Sequence, residues 1–213
     1  MSEKKILVAA SAGIAADSWL QRKLGETITD PASVKVSELG RNKHLSDALR
    51  AIGVDSAPWP TSTAIRKSEI RKALDSADYL LLFWDGRTLT ELLFEARLRN
   101  IPMKVYAIEV TEIVNKERTN DYDAYIGRGT PWGNPYHVGT QEGQFEREEA
   151  INNYRAHFEE NILGDESKRR GLFGLRGMRL ACHCKPLACH GDVIAGYLNS
   201  LDPDEIDRDE LRR

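Results

Sequence analysis

Cysteine is scarce in this sequence and unevenly placed. Three occur in 213 residues, all between positions 182 and 189. An odd number of thiols confined to one segment does not make a disulfide framework. A chain of this length does not need one, because it can bury a core without staples. Long apolar runs are also missing, so no segment is expected to cross a membrane. The short apolar stretch after Lys4-Lys5 reads as the start of a strand rather than an export signal, and the expected location is the cytoplasm, where thiols stay reduced. Neither sign of charge is in excess. Lys and Arg number 30 against 33 Asp and Glu, a net charge of −3, so no global basic field attracts nucleic acid. Internal repeats and low-complexity tracts are absent.

What is present in the first half is an alternation of strand and helix. Residues 5–10 read as a buried parallel strand, followed by the small-residue turn Ser11-Ala12-Gly13. Asp17–Leu24 reads as helix. Lys43–Ile52 is amphipathic, with Leu45, Ala48, Leu49 and Ile52 on one face and Gly53 as its stop. Ser62 or Thr63 is expected to cap a helix ending near Leu74. Tyr79–Trp84 (YLLLFW) is the strongest strand signal, followed by a helix over Leu89–Arg99 and a strand over Met103–Ile108. This order implies an α/β fold: a Rossmann-like parallel sheet covered on both faces.

The texture changes after Glu109. Residues 1–110 are expected to form one domain, 111–123 a polar linker, 124–200 a smaller α/β domain and 201–213 a charged tail. In the second domain, residues 146–161 read as helix, 178–182 as a short strand and 192–198 as the opening of a last helix.

In open parallel sheets, ligands bind at the carboxyl ends of strands, where helix N-termini offer free N–H groups. Ser11 and Gly13 after the first strand, and Asp85, Gly86 and Thr88 after YLLLFW, occupy that edge. Glu91 follows in the next helix. The segments GRNKHLSDALRAIGV and IRKSEIRKALDSADYLLLFWDG, with a helix ending in NIP, resemble the SLOG group of Rossmann-like proteins over about the first half of the chain. That resemblance implies nucleotide binding or cleavage of N-glycosidic bonds, with Glu91 or Asp85 as the acidic group. The group's PGGxGT loop is replaced here by Asp85-Gly86-Arg87-Thr88, which favours binding over hydrolysis. The bland alternative makes Asp85 a turn residue and Glu91 a first-turn carboxylate favoured by the helix dipole.

Residues 125–136 (YIGRGTPWGNPY) combine freely rotating Gly with φ-locking Pro and so define one path. Arg128, between Gly127 and Gly129, suits a bidentate grip on phosphate or carboxylate, and the glycine N–H groups suit an anion nest. Trp132 or Tyr136 suits stacking on a base. A structural ion pair for Arg128 is the plainer reading.

All the thiols lie in residues 180–192 (LACHCKPLACHGD). Cys182, Cys184, Cys189 and His190 suit tetrahedral zinc or an iron–sulfur cluster with an unusual fourth ligand, with Cys182 and Cys184 on the same side of an extended segment. The same spacing suits a reactive thiol at a helix N-terminus, with His190 as base and Asp192 as its orienting partner. Buried cysteines acting as small hydrophobes are the third reading.

Three segments, YIGRGTPWGNPY, REEAINNYRAHF and CHCKPLACHGDVI, resemble a bacterial and phage family known only as a domain of unknown function. The resemblance implies that Arg128, Asn134, Cys184, Cys189, His190 and Asp192 belong to one constellation. The leading expectation is an enzyme acting on a nucleotide or nucleoside, at its N-glycosidic bond or base. The alternatives are a non-catalytic nucleotide sensor with a structural metal module, and a nucleic-acid binding or modifying protein using the strip Lys168, Arg169, Arg170, Arg176 and Arg179. A homo-oligomer is compatible with each.

Overall fold

The computed structural model describes residues 3–61, 65–139, 141 and 144–205. The expected caps Ser62 and Thr63, and residues 206–213 of the expected tail, lie outside them. The chain divides into two units, one holding residues up to Ile108 together with those from Ser200, the other Glu109–Asn199.

The first unit is a five-stranded parallel sheet in the order β3-β2-β1-β4-β5. The strands are β1 (Lys4–Ala10), β2 (Val34–Leu39), β3 (Ser56–Pro58), β4 (Tyr79–Trp84) and β5 (Met103–Ala107). The helices are α1 (Asp17–Thr27), α2 (Lys43–Ala51), α3 (Lys67–Asp75) and α4 (Thr90–Leu98). This is the expected Rossmann-like α/β sheet. Strands β1 and β4 pair with Leu7 opposite Leu80 and Ala9 opposite Leu82. Those four residues pack on Ile70, Leu74, Leu92 and Leu93 of α3 and α4. The rings of Trp19, Phe83 and Tyr106 also cluster, with Phe83 and Tyr106 stacked at 5.3 Å. Both faces of β4 are therefore apolar, which explains its uninterrupted hydrophobic run.

Strand β2 carries a buried carboxylate, Glu38, which accepts hydrogen bonds from the hydroxyls of Ser46 and Ser56. Asn42 caps α2 by accepting the Leu45 N–H at 3.0 Å, while its amide donates to the carbonyls of Ser11 and Ile14. In the tail, Asp202 and Asp204 pair with Arg22 at 2.6 and 2.7 Å, so these charged residues are held rather than frayed.

The second unit is a three-stranded parallel sheet in the order β6-β8-β7, from β6 (Glu112–Asn115), β7 (Ala124–Tyr125) and β8 (Arg179–Cys182). Its helices are α5 (Arg147–His157), continued by a π-helical segment over Phe158–Leu163, then α6 (Glu166–Phe173) and α7 (His190–Ser200). Residues 112–115, inside the stretch expected as a linker, thus form an edge strand of this sheet. The reason is non-local: Glu112–Asn115 gain a ladder only when β8 lies beside them.

Candidate functional site

Strand β8 ends at Cys182, and the chain turns through His183–Ala188 before α7 begins at His190. The turn contains a cis Lys185–Pro186 peptide. Asn115 of β6 holds it by donating to the carbonyls of His183 and Lys185. Cys189 precedes the first residue of α7. Asp192 accepts the Cys189 N–H at 2.9 Å, as an N3 side chain does in a capping box, and its other oxygen pairs with Lys185.

This local geometry brings Cys182, Cys189 and His190 together. All three are buried, and one potential ligand atom from each lies within 4.8 Å of the others. The Cys182 thiol donates to Cys189 Sγ at 3.5 Å. Cys182 Sγ in turn accepts the Cys184 N–H at 3.3 Å. Imidazole Nε2 of His190 donates to the Ile126 carbonyl at 2.9 Å, an acceptor-only partner, which leaves Nδ1 with the free lone pair.

The sulfur pair is electrically asymmetric. Cys189 is lowered to about 7, first by the hydrogen bond from Cys182 and then, against the opposing effect of burial, by the N–H groups of Gly191 and Asp192 at the start of α7. Cys182, as the donor, is pushed well up and stays protonated. Burial lowers His190 and keeps it neutral. In chelator-treated protein with Cys184→Ser as background, alkylation by iodoacetamide should therefore proceed at Cys189. Its thiolate fraction rises as pH passes upward through the folded pKa. The rate should reach half its plateau near pH 7, below the ordinary thiol value of about 8.5. A midpoint at or above the ordinary value would contradict the assigned asymmetry.

A cavity of about 530 Å³ opens over this group. Cys182, Cys189 and His190 line it, together with Arg128, Arg147, Tyr136, His183 and Cys184. Among the described residues, two arginines and no aspartate or glutamate line the space. Arg128 is exposed and, among the described residues, makes no hydrogen bond or ion pair. Arg147, at the start of α5, donates to the Ala188 carbonyl at 3.2 Å. His183 bridges Glu117 at 2.9 Å and the Tyr125 hydroxyl at 3.1 Å.

The glycine loop is braced from behind. Tyr154 of α5 donates its hydroxyl to the Trp132 carbonyl at 2.8 Å, and its ring packs edge-on against His190 at 5.1 Å. Asn134 donates to the Ala150 carbonyl at 3.2 Å and accepts the Tyr136 N–H at 2.9 Å. Gly133 lies so close to the preceding strand of the loop that a Cβ would sit 2.7 Å from the Gly127 carbonyl oxygen and 3.0 Å from the Arg128 Cα. Both are backbone atoms and cannot rotate away. Gly133→Ala is expected to displace Arg128 and weaken ligand binding while leaving the first unit intact. Unchanged binding with unchanged stability would show that the close approach is not needed.

Several expected residues fall elsewhere. Cys184 lines the cavity but lies outside the three-residue group, because the strand stops at Cys182 and the extended path through 184 is broken. Asp192 caps α7 and pairs with Lys185, while the His190 ring is oriented by Ile126. Gly127 lines the cavity and Gly129, at φ +86°, shapes the turn beside it. Tyr136 faces the cavity, whereas the Trp132 indole packs on Gly171 of α6. Asn134 lines the cavity while its side chain braces the loop.

In the first unit, Ser11, Asp85 and Thr88 do meet at one edge. Ser11 Oγ accepts the Asp85 N–H and the Thr88 hydroxyl, and Asp85 accepts the N–H groups of Arg87 and Thr88. Burial would raise Asp85, but those N–H groups outweigh it and hold the carboxyl below its usual value. Gly86, at φ +79°, turns the chain there. Glu91 lies in the first turn of α4 and pairs with Lys67 of α3 at 2.6 Å. In the basic strip, Arg170 pairs with Glu166, Arg179 with Asp121 and Glu112, and Lys168 and Arg169 bond to nearby carbonyls.

Arg147, His183 and Tyr125 also line the cavity, and Asn115 holds the loop beside it, four residues that the sequence alone does not single out. Arg147 sits in a helix of mixed polarity, where a lone arginine reads as a solvated face. Asn115 lies in a stretch with no apolar period. Only the neighbouring thiols could have drawn attention to His183.

The fold and site define a Rossmann-like α/β protein whose second unit carries an arginine-lined cavity floored by cysteine and histidine. Residues 112–200, which take in most of that unit, match the family described as Domain of unknown function (DUF4326). An uncharacterized 12.4 kDa protein from the nrdA–td intergenic region of Enterobacteria phage T4 is 43% identical over 99 residues, which is 46% of this chain and 87% of that protein. The chain belongs to this family. It is also similar to the solved structure of UDP-GlcNAc 2-epimerase from Neisseria meningitidis bound to UDP-GlcNAc, at 11% identity and a TM-score of 0.35 over 80% of this chain. The chain spans 53% of the length of that epimerase.

Proposed function

We propose that the second unit is the active site of an enzyme acting on a nucleotide or nucleoside phosphate, at its N-glycosidic bond or base. One observation carries the reading: among the described residues, the cavity over Cys182, Cys189 and His190 has two arginines and no carboxylate in its lining. Such a lining favours an anion at one end and leaves the sulfur and imidazole groups for the other. A volume of about 530 Å³ suits a ligand of nucleotide size. Tyr136 supplies an aromatic face for a base.

The first unit contributes a nucleotide-binding edge in the SLOG manner, at Ser11, Asp85 and Thr88. These side chains satisfy one another, so the reacting ligand is assigned to the second unit. The test is a panel of nucleoside 5′-monophosphates and the matching nucleosides. The full chain should bind the phosphates in preference, and chromatography of the mixtures should show release or alteration of a base. Equal or absent binding across the panel would overturn the reading.

A further inference from the structure

We propose that Cys182, Cys189 and His190 bind a zinc ion whose fourth coordination position opens onto the cavity. For its catalytic role the inference rests on the function proposed above; the metal site itself does not.

The donor set is that of zinc: two sulfurs and one imidazole, gathered from the end of β8 and the start of α7. Two sulfurs on a tetrahedral zinc, each at about 2.3 Å, stand roughly 3.7 Å apart. Sγ of Cys182 and Sγ of Cys189 are 3.5 Å apart. The surrounding groups also fit. His190 Nε2 is fixed by the Ile126 carbonyl, which presents Nδ1 as donor. The Cys184 N–H points at one sulfur, and the Gly191 and Asp192 N–H groups at the other. Such donors stabilise sulfur as thiolate, and a dication between two adjacent buried thiolates removes their mutual repulsion. An iron–sulfur cluster takes four protein ligands, all thiolates or, in Rieske centres, two thiolates and two imidazoles, whereas this group offers two sulfurs and one imidazole. The chain has three cysteines, and Cys184 is outside the group.

Three protein ligands with an open position describe a catalytic rather than a structural zinc. All three residues line the cavity, so the open position faces the space where the arginines hold an anion. Zinc lowers the pKa of a bound water to about 7. Hydrolysis there needs only that water: its oxygen bonds to the electrophilic carbon, the carbon–nitrogen bond breaks, and the water's proton leaves on the departing nitrogen.

The experiment is elemental analysis of the full chain, prepared without a metal-affinity step, together with cobalt substitution of the chelated protein. We expect about one zinc per chain and a near-ultraviolet thiolate-to-cobalt charge-transfer band. Cys182→Ser, Cys189→Ser and His190→Gln should each lose most of the metal and the band, while Cys184→Ser keeps both. Circular dichroism of each variant identifies any that fail to fold, and the wild-type stoichiometry and Cys184→Ser do not depend on them. Folded wild-type protein with neither zinc nor a cobalt band would overturn the site. Loss of metal in Cys184→Ser as complete as in Cys189→Ser would overturn the open position, because the site would then be closed by a fourth thiolate. Nucleoside monophosphate binding by chelated protein is read separately, so failure of the metal site and failure of the anion site are distinguishable.

Discussion

Arg128→Ala is expected to weaken binding of a nucleoside monophosphate by about ten- to a hundredfold, while binding of the parent nucleoside changes little. The magnitude follows from one charge-assisted hydrogen-bonding group, worth about 1.5 to 3 kcal/mol. The selectivity follows from position. Arg128 is exposed at the rim, lies between two glycines and, among the described residues, makes no hydrogen bond or ion pair. Removing it should therefore subtract ligand contacts and little else. Arg128→Lys should recover only part of the affinity, since an ammonium keeps the charge but not the planar fork. Isothermal titration of the three proteins with monophosphate and nucleoside separates these effects. A uniform loss across both ligands would mean that the loop, rather than the guanidinium, had been disturbed.

Tyr154→Ala is expected to destabilise the second unit by about 3 to 5 kcal/mol, as truncation of a fully buried aromatic does. Tyr154 is 0% exposed. It ties two parts of the site together: its hydroxyl holds the Trp132 carbonyl, and its ring backs His190. Tyr154→Phe isolates the hydroxyl, whose hydrogen bond to the part-buried Trp132 carbonyl should contribute about 0.5 to 1.5 kcal/mol. Chemical denaturation of the two variants should give that order. If both variants matched the wild type, the brace would contribute nothing and the loop would have to be held by Asn134 and its glycines alone.

The parts of this molecule that are legible in its sequence are those whose signal is local. Tyr79–Trp84 reads as a strand because both faces of β4 are buried and every residue can be apolar. Leu45, Ala48 and Leu49 are buried on one face of α2, and Gly53 takes the φ of +77° that ends it. Strand β2 escapes because Glu38 interrupts its apolar pattern. The carboxylate is tolerated inside only through hydroxyls from Ser46 and Ser56, partners no window around Glu38 reveals. Strand β6 escapes because its ladder is supplied by β8, far along the chain.

The same division runs through the site. The thiol segment marks a candidate site by composition alone. Which thiols meet depends on where the strand ends: Cys182 is the last paired residue, so Cys184 turns away from the group and Cys189 returns to it from α7. Arg128 is legible from its flanking glycines. Arg147 is not, because only the fold brings the first turn of α5 to the loop carbonyl of Ala188.

Amide nuclear magnetic resonance of the full chain, titrated with a nucleoside monophosphate and with the matching nucleoside, tests the central claim most directly. The monophosphate should shift the amides of Gly127, Arg128, Cys189 and His190, with Arg128→Ala suppressing those shifts at equal ligand concentration. Shifts confined to Ser11, Asp85 and Thr88, or the same pattern with and without the phosphate, would contradict the account.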